Sequence, residues 1–330
     1  QNMSRTIESM SSLASKAIKQ LEELKNKEDG LTGVPTGFTV LDRLTSGWQP
    51  SDLIILAARP GMGKTSFVLS LAKNAALDFK KGVAIFSLEM SSLQLAQRII
   101  SMDAEVSGSK MRNGQLEDYE WQQLHSSIEK LSEIPIHIDD TPGINVFELR
   151  AKCRRLKKQH DIQMVIIDYL QLMSGGSDNQ KGNREQEVSA ISRALKGLAK
   201  ELNVPVIALS QLSRAVEVRG GSKRPQLSDL RESGSIEQDA DQVAFIYRPE
   251  YYDILEDEEG QSLKGVAEVI MAKNRHGKLD TIRMKFTAEF ARFSDLEDTG
   301  FDDLPDDTFS NKGTTITVQS KINTDEDIPF

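Results

Sequence analysis

Apolar residues occur along this chain in two patterns, as short segments rich in apolar residues and as longer stretches with an apolar side chain at every third or fourth position. Runs of the first kind predict eight strands: Leu53–Ala58, Val83–Leu88, Ile136–Ile138, Met164–Asp168, Val204–Ser210, Val243–Tyr247, Val266–Ala272 and Thr281–Phe286. Stretches of the second kind predict five helices between them: Ser66–Asp78, Ser91–Met102, Leu116–Leu131, Val146–Gln159 and Arg184–Leu202. Apolar strands without alternation are buried on both faces, so the pattern predicts an α/β fold with a mostly parallel sheet between two helical layers. The last strands have no long helix between them, and we expect them to extend the sheet in antiparallel fashion.

The two ends of the chain differ from this central part. Residues 5–26 place apolar side chains at helical spacing opposite a polar face, which predicts an amphipathic helix. The helix has two alternative interpretations, packing on its own domain or on a neighbouring subunit. From about Asp298 onward the chain is acidic and poor in large apolar residues, which is typical of disorder. The predicted organisation is therefore a linker helix in 1–29, one α/β domain in 30–297 and an acidic disordered tail in 298–330.

Charge and cysteine content narrow the class of protein. The net charge is −9, but residues 295–330 hold ten acidic and two basic side chains and so contribute −8 of it. The rest of the chain is close to neutral and is compatible with a local basic surface, so net charge does not exclude a nucleic-acid partner. Cys153 is the only cysteine, which excludes an internal disulfide and a cysteine-cluster zinc site. With no apolar run near the ~20 residues of a membrane span, we expect a cytoplasmic protein without membrane partners. Because the first residue is Gln1, we also expect that sequence upstream of it is missing.

The segment from Leu53 to Thr65 carries the clearest chemical signal. A predicted buried strand runs into a loop with glycines, and the loop ends in Gly-Lys-Thr where a helix begins. Backbone N–H groups at such a helix start bind phosphate, lysine reaches the terminal phosphates and the threonine hydroxyl ligates Mg²⁺. Where the usual motif begins with glycine this chain has Ala58, and we expect Gly61 to supply the positive φ. The predicted nucleotide-binding residues are Arg59, Gly61, Met62, Gly63, Lys64, Thr65 and Ser66, with Lys64 also catalytic and Thr65 also a metal ligand.

Three further strand ends offer polar side chains to the same edge of the sheet. Asp168 ends an apolar strand in the manner of a Mg²⁺-holding carboxylate, although an Asp there also serves as a turn cap. Glu89 follows another strand and is predicted to orient or deprotonate the attacking water. Its alternative role is that of a first-turn acid in the next helix. Gln211 closes a third strand, where it either hydrogen-bonds the γ-phosphate or satisfies loop backbone groups.

Several runs of residues closely resemble the motor domain of DnaB-family replicative helicases, in the order in which that family has them, over roughly residues 30–295. The runs are Ala57–Thr65, Phe86–Met90, Val165–Leu172, Leu209–Arg214, Asp229–Asp241 and Ala272–Gly277. Asp229–Asp241 is the most discriminating, since related ATPases share the nucleotide motifs but not this run. The resemblance implies a RecA-like P-loop NTPase fold, ATP and Mg²⁺ as cofactors, and DNA unwinding coupled to ATP hydrolysis. It also implies a homo-hexameric ring that encircles single-stranded DNA and moves 5′→3′ at the replication fork.

The resemblance also assigns residues that local pattern does not. Lys273 and Arg275 look like the basic pair that acts on the nucleotide of a neighbouring subunit, with Arg275 as an arginine finger. Arg231, Glu232 and Gly234 resemble the loop that meets DNA phosphates in the pore, and Gly234 is expected to start the helix Ser235–Ala240. The polar segments 175–182 and 217–223 are further candidates for pore loops or are surface loops. The helix within 5–26 then resembles the family's linker helix, which docks on the adjacent subunit.

Partners follow from the same resemblance. It implies single-stranded DNA, a primase and a helicase loader, and we expect membership in the primosome. The tail ends in Asp-Glu-Asp-Ile-Pro-Phe, which looks like the tip of single-stranded-DNA-binding proteins. It predicts binding to the pockets that accept such tips, unless the tail is only solubilising. Two other functions stay open, a RecA-like DNA-dependent ATPase of recombination or branch migration and a nucleotide-gated assembly switch.

Overall fold

The apolar runs of the sequence form the strands of one nine-stranded sheet. A computed structural model describes residues 8–25, 30–173, 184–220, 222–230 and 234–296. The spatial order of the strands is β3-β2-β4-β5-β1-β6-β7-β8-β9. Their bounds are β1 Leu53–Ala58, β2 Val83–Ser87, β3 Ile136–Asp139, β4 Met164–Asp168, β5 Val206–Gln211, β6 Gln242–Tyr247, β7 Val266–Asn274, β8 Thr281–Thr287 and β9 Arg292–Asp295.

Helices connect the parallel strands and cover both faces of the sheet. Their bounds are α1 Met10–Lys25, α2 Thr39–Thr45, α3 Lys64–Leu77, α4 Ser92–Ala104, α5 Gly108–Asn113, α6 Asp118–Ser132, α7 Val146–His160, α8 Arg184–Leu202, α9 Ala215–Val218 and α10 Gly234–Asp239. All five helices predicted between strands are present, with ends that differ by at most two residues and with both ends of Arg184–Leu202 as predicted. The amphipathic pattern of residues 5–26 also forms a helix, α1, within the described residues.

Strand β1 is the central strand of the nine-stranded sheet and has a parallel neighbour on each side, which explains why its sequence is apolar throughout. It pairs in parallel with β5 on one side and with β6 on the other. Ile54 and Leu56 enter the hydrophobic core on one face, whereas Leu53 and Ile55 enter the core on the opposite face. Because successive side chains of a strand point to opposite faces, burial on both faces requires an unbroken apolar run. The predicted sheet between two helical layers is confirmed.

The antiparallel extension consists of β6 to β9 at one edge of the sheet. β7 pairs antiparallel with β6 and with β8, and β8 pairs antiparallel with β9. Along β8 the alternate residues Ile282, Met284 and Phe286 are buried and the residues between them are more exposed. Such alternation is typical of antiparallel strands with one solvated face. The predicted antiparallel edge is confirmed, and β9, four residues long, is a strand that the sequence pattern did not predict.

Helix α1 exposes both its polar and its apolar face to solvent. Met10, Leu13, Ile18 and Leu21 are between 46% and 79% exposed. In this single chain the described apolar side chains of α1 therefore do not pack on the chain's own domain. None of the helices in the described part of the chain is both long and apolar enough to cross a bilayer.

Candidate nucleotide-binding site

The loop between β1 and α3 has the backbone geometry that phosphate binding requires. Gly61 has φ +83°, as expected from the sequence, and Gly63 has φ +89° and caps the helix that begins at Lys64. A Cβ on Gly63 would lie 3.0 Å from a ring carbon of Phe293 in β9, so the loop also packs closely against β9. Ala58 is the buried last residue of β1 and precedes the turn. The loop thus makes its left-handed turns at Gly61 and Gly63, without a glycine at position 58.

Lys64, Thr65 and Asp168 meet where β1 and β4 end. The Thr65 hydroxyl donates to Oδ2 of Asp168 at 2.7 Å, and Lys64 Nζ lies 3.7 Å from Oδ1 of the same carboxylate. Asp168 is 2% exposed, and among the described residues its Oδ1 accepts no hydrogen bond. Burial lowers the pKa of Lys64, while the Asp168 and Glu89 carboxylates favour its charged form.

A divalent cation fits this arrangement of oxygens. The buried Asp168 Oδ1 lacks a hydrogen-bond donor among the described residues, and a hydroxyl oxygen that can ligate a cation lies beside the same carboxylate. Carboxylate and hydroxyl oxygens are hard ligands of the kind that Mg²⁺ binds together with phosphate oxygens and water. Thr65 and Asp168 are therefore suited to hold Mg²⁺ next to a phosphate cradled by the loop.

Glu89 and Gln211 face the same cavity, which has a volume of about 800 Å³. Glu89 is exposed in the turn after β2, and Gln211 ends β5 directly beside Ala58 of β1. The alternative interpretation of Glu89 as a first-turn acid is wrong. Helix α4 begins at Ser92, and its capping box is formed by Ser91 and Gln94. Glu89 lies before that cap, so its carboxylate is left free to face the cavity.

Two predicted binding residues direct their side chains elsewhere. The Arg59 guanidinium donates to the Glu217 carboxylate through Nε at 2.9 Å and to the Leu212 carbonyl through Nη1 at 2.8 Å. Met62 is 1% exposed and belongs to the hydrophobic core. Arg59 and Met62 can therefore contribute to phosphate binding through the loop backbone. Arg59 lines the cavity together with Lys64, Thr65 and Ser66, and Met62 does not.

Lys273 and Arg275 lie near the amino-terminal ends of the parallel strands, whereas the phosphate loop follows the carboxyl-terminal end of β1. Asn274 at the end of β7 pairs with Gln242 of β6, and Gln242 pairs with Ile54 near the start of β1. The length of β1, about 20 Å at 3.3 Å per residue, thus separates these two cations from the loop that follows Ala58. Neither residue lines the cavity. Within one chain they cannot reach a phosphate bound at Lys64.

Both cations are held at the end of α10. Lys273 Nζ donates to the carbonyls of Glu237 and Ala240, and Arg275 Nη2 donates to the carbonyl of Gln238 at 2.6 Å. Burial and the neighbouring Arg275 lower the pKa of Lys273. Of the predicted DNA-contacting residues, Arg231 and Glu232 lie outside the described residues, as does segment 175–182. Gly234 is the first residue of α10, one residue earlier than predicted.

The cavity also has walls that sequence pattern did not predict. The Tyr169 ring lies 4.6 Å from Lys64 Nζ, directly after Asp168 in the chain. Further walls come from α4, α5 and the turn between β8 and β9, including Arg98, Arg112 and Phe290. For Tyr169, the sequence signal that could have predicted its place in the cavity wall was its position directly after Asp168. The other three come from distant parts of the chain and meet only in the folded protein.

Comparisons with known proteins agree with this geometry. The family model described as DnaB-like helicase C terminal domain matches residues 33–295. The replicative DNA helicase DnaB of Geobacillus stearothermophilus is 53% identical over 277 residues, which are 84% of this chain and 60% of that protein. The replicative DNA helicase DnaC of Bacillus subtilis is 52% identical over the same shares of the two chains. This chain therefore spans about 60% of the length of these relatives.

Solved structures give the same result for the fold. One that is described as an ATPase domain matches with a TM-score of 0.80 and 41% identity, over 88% of this chain and all of that one. A DnaB-like replicative helicase, described together with its interactions with primase, matches with a TM-score of 0.77 and 40% identity. That match covers 88% of this chain and 68% of the other. The predicted RecA-like α/β fold is confirmed.

Proposed function

Because this chain belongs to the DnaB-like helicase C-terminal domain family, we propose that it is the ATP-dependent motor of a replicative DNA helicase. The observation that carries the proposal is that the predicted site residues lie at opposite ends of the strands of one sheet. Lys64, Thr65 and Asp168 meet at the carboxyl ends of the parallel strands, and Lys273 and Arg275 lie at their amino ends. A head-to-tail arrangement of subunits places the end of one chain that carries Arg275 against the end of the next chain that carries Lys64.

At the cavity, each residue has a proposed task in ATP hydrolysis. The backbone between Arg59 and Gly63 cradles the phosphates, and Lys64 neutralises charge on them. Thr65 and Asp168 would hold Mg²⁺, which would supply positive charge beside the phosphate oxygens. Glu89 orients the attacking water and accepts its proton, since its carboxylate is exposed to the cavity. Gln211 donates a hydrogen bond to the γ-phosphate from the end of β5.

Across the subunit boundary, Lys273 and Arg275 complete the neighbour's site. Arg275 is 45% exposed at the edge of the sheet although two of its donors are already used. A guanidinium has five N–H donors, so three remain for a phosphoryl group of the adjacent subunit. The exposed apolar face of α1 is proposed to dock on a neighbouring subunit and to help close a homo-hexameric ring. Residues 1–29, 30–297 and 298–330 are the corresponding linker, motor and tail.

The ring is proposed to encircle single-stranded DNA in the cytoplasm and to move 5′→3′ on it. Arg231, Glu232 and Gly234 are the proposed phosphate-contacting residues, with sequence-independent, salt-sensitive binding as the consequence. One structural relative is described with its interactions with primase, which supports a primase as partner. A loader, and the docking of the acidic segment 325–330 in pockets for single-stranded-DNA-binding-protein tips, are proposed from the sequence alone. The tail lies outside the described residues.

The test is ATP hydrolysis with Mg²⁺, with and without single-stranded DNA. Variants Lys64→Ala and Arg275→Ala are each expected to lose hydrolysis, the latter by about 10³-fold or more, as for other arginine fingers. Mixing the two inactive variants is expected to restore part of the activity, because some interfaces then pair an intact loop with an intact arginine. Arg193→Ala is the matched control, since Arg193 is an exposed arginine on α8 whose hydrogen bonds within the described residues go to Ser189 of its own helix.

The outcomes separate the proposal from its competitors. Hydrolysis that DNA does not stimulate would indicate a nucleotide-gated assembly switch and would remove the DNA-contacting assignment. DNA-stimulated hydrolysis without strand separation on a forked duplex would indicate a recombination-type ATPase. No recovery on mixing would show that Arg275 does not act on a neighbour's nucleotide.

A further inference from the structure

A group of buried and half-buried charges surrounds the base of Arg275. We name it the Asp241 cluster, and it consists of Asp52, Lys196, Asp241, Arg275 and His276. Asp241 is 3% exposed and accepts hydrogen bonds from Lys196 and from Arg275 Nη1, the latter at 3.1 Å. Asp52 lies 3.4 Å from His276 Nε2 and 3.9 Å from Lys196. The cluster joins the start of β1, the start of β6, the end of β7 and helix α8.

The two oxygens of the Asp241 carboxylate have separate partners. Oδ2 accepts from the Leu53 backbone N–H at 2.8 Å, at the start of β1, and from Lys196 on helix α8. Oδ1 accepts from Arg275. The Arg275 backbone N–H also donates to the Asp241 carbonyl at 3.0 Å. One residue therefore fixes both the main chain and the guanidinium of Arg275 to the rigid start of two buried strands.

From this geometry we infer that Asp241 is a positioning residue that aims the Arg275 guanidinium at the neighbouring subunit's nucleotide. The inference rests on the proposed function of Arg275 and adds the residue that sets its geometry. Arg275 follows the last residue of β7, where no further strand pairing restrains it. Among the described residues, the long, flexible arginine side chain is fixed in direction by its hydrogen bonds to Asp241 and to the Gln238 carbonyl. A misplacement of about 1 Å in such a group can cost about 10²-fold in rate.

The substitution Asp241→Asn tests this inference because it affects the two oxygens unequally. Two donors, the Leu53 N–H and Lys196, require an oxygen at the Oδ2 position, so the asparagine oxygen is expected to stay there. Its NH₂ group then faces Arg275, removes the acceptor and places donor hydrogens against the guanidinium. The fold keeps its hydrogen bond to β1, while Arg275 loses its charged partner.

The expected result is a fall in kcat of about 10²-fold with an unchanged KM for ATP, as for a group that acts in the transition state. Because Lys196 also loses its charged partner, the thermal unfolding midpoint is expected to fall but to stay above the assay temperature. Asp52→Asn is the control, since Asp52 belongs to the same cluster and contacts Lys196 and His276 but not Arg275. It is expected to leave kcat unchanged.

Mixing decides whether Asp241 acts through Arg275 across the boundary. Asp241→Asn mixed with Lys64→Ala is expected to recover activity, because the Lys64→Ala subunit supplies a correctly held Arg275 to the intact loop of its neighbour. A defect that lies in the variant's own fold or own nucleotide loop would persist in the mixture and would overturn the inference. The double variant Asp241→Asn/Arg275→Ala is expected to be no slower than Arg275→Ala alone, since both changes remove one function.

The failure of the inference is distinct from the failure of the proposed function. Full activity of Arg275→Ala would overturn the trans-acting role of Arg275 and this inference with it. A defective Arg275→Ala that is rescued by mixing, together with a fully active Asp241→Asn, would overturn the inference alone.

Discussion

Thr65 and Asp168 share one hydrogen bond at the place proposed for Mg²⁺. Their oxygens lie 2.7 Å apart, and the carboxylate is buried. Thr65→Ala removes the hydroxyl, so we expect the Mg²⁺ concentration needed for half-maximal ATP hydrolysis to rise and kcat to fall. Thr65→Ser keeps the oxygen and is the matched control, with hydrolysis near that of the unsubstituted chain. Equal loss in both variants would mean that the methyl group, and not the hydroxyl, matters at this position.

Glu89 can be tested without changing the shape of the cavity. Glu89→Gln keeps the size of the side chain but cannot accept a proton, so we expect ATP binding to persist while kcat falls about 10²- to 10⁴-fold. Equilibrium binding of a fluorescent ATP analogue and single-turnover hydrolysis measure the two effects separately. Glu133→Gln, at an exposed position after α6, is the control. Loss of binding and hydrolysis together would indicate that Glu89 holds the nucleotide and does not activate water.

The sequence was sufficient to predict which polar residues at or after the strand ends meet at the cavity. Lys64, Asp168, Glu89 and Gln211 each follow or end a parallel strand, and parallel strands end at one edge of the sheet. Side-chain direction was not predictable in the same way. Arg59 turns to Glu217, more than 150 positions away in the chain, and no local pattern contains that contact.

At the scale of elements, the phosphate loop depends on a strand that lies at the far edge of the sheet. Gly63 has φ +89°, and a Cβ there would lie 3.0 Å from Phe293 of β9. We expect Gly63→Ala to lower the free energy of unfolding by about 1–2 kcal/mol for the left-handed backbone and about 1–3 kcal/mol more for overpacking. Urea unfolding measures the change.

Gly114 provides the control for this prediction. It also has a positive φ, +67°, but a Cβ at that position would have no heavy atom within 4 Å. Gly114→Ala is therefore expected to cost only the backbone part, about 1–2 kcal/mol. Equal losses in the two variants would contradict the packing contribution of Phe293.

Element length decided what the pattern of the sequence could predict. The strands of the parallel sheet are apolar runs of four to six residues, and the helices between strands are long enough to repeat their apolar spacing. The elements that pattern did not predict are short: α2 has seven residues, α5 six, α9 four and β9 four. One or two turns contain too few positions for a helical period to be distinguished from chance.

At the scale of the whole molecule, the candidate site residues lie at opposite ends of the strands of one sheet. This separation follows from the direction of the strands and not from the sequence motifs. The resemblance to the helicase family assigned Lys273 and Arg275 to the neighbour's site. Their separation from the chain's own loop, however, depends on β7 running antiparallel to β6. A parallel β7 would have ended beside the loop after Ala58 and would have placed both cations in their own cavity. The reversal of this strand is thus the basis of the proposed dependence of the chain on a neighbour.

Helix α1 extends this dependence to assembly. Its described apolar side chains are exposed, and burying each large one on a neighbour is worth about 1.5–3 kcal/mol. We therefore expect the triple substitution Leu13→Ser, Ile18→Ser and Leu21→Ser to shift the chain from ring to smaller species in multi-angle light scattering. DNA-stimulated hydrolysis should fall with the ring population, because an isolated chain has no Arg275 at its cavity.

The opposite face of the same helix supplies the control for that prediction. Lys16, Lys19 and Glu22 are exposed on the polar face, so the triple substitution to serine introduces the same residue type without removing apolar surface. It is expected to keep the ring mass, since it removes no apolar surface although it lowers helix propensity at least as much as the apolar substitutions do. Rings that persist after the apolar substitutions would show that α1 is dispensable for assembly. The contact between the strand ends that carry Arg275 and the neighbour's strand ends that line the cavity would then be sufficient to hold neighbouring subunits together.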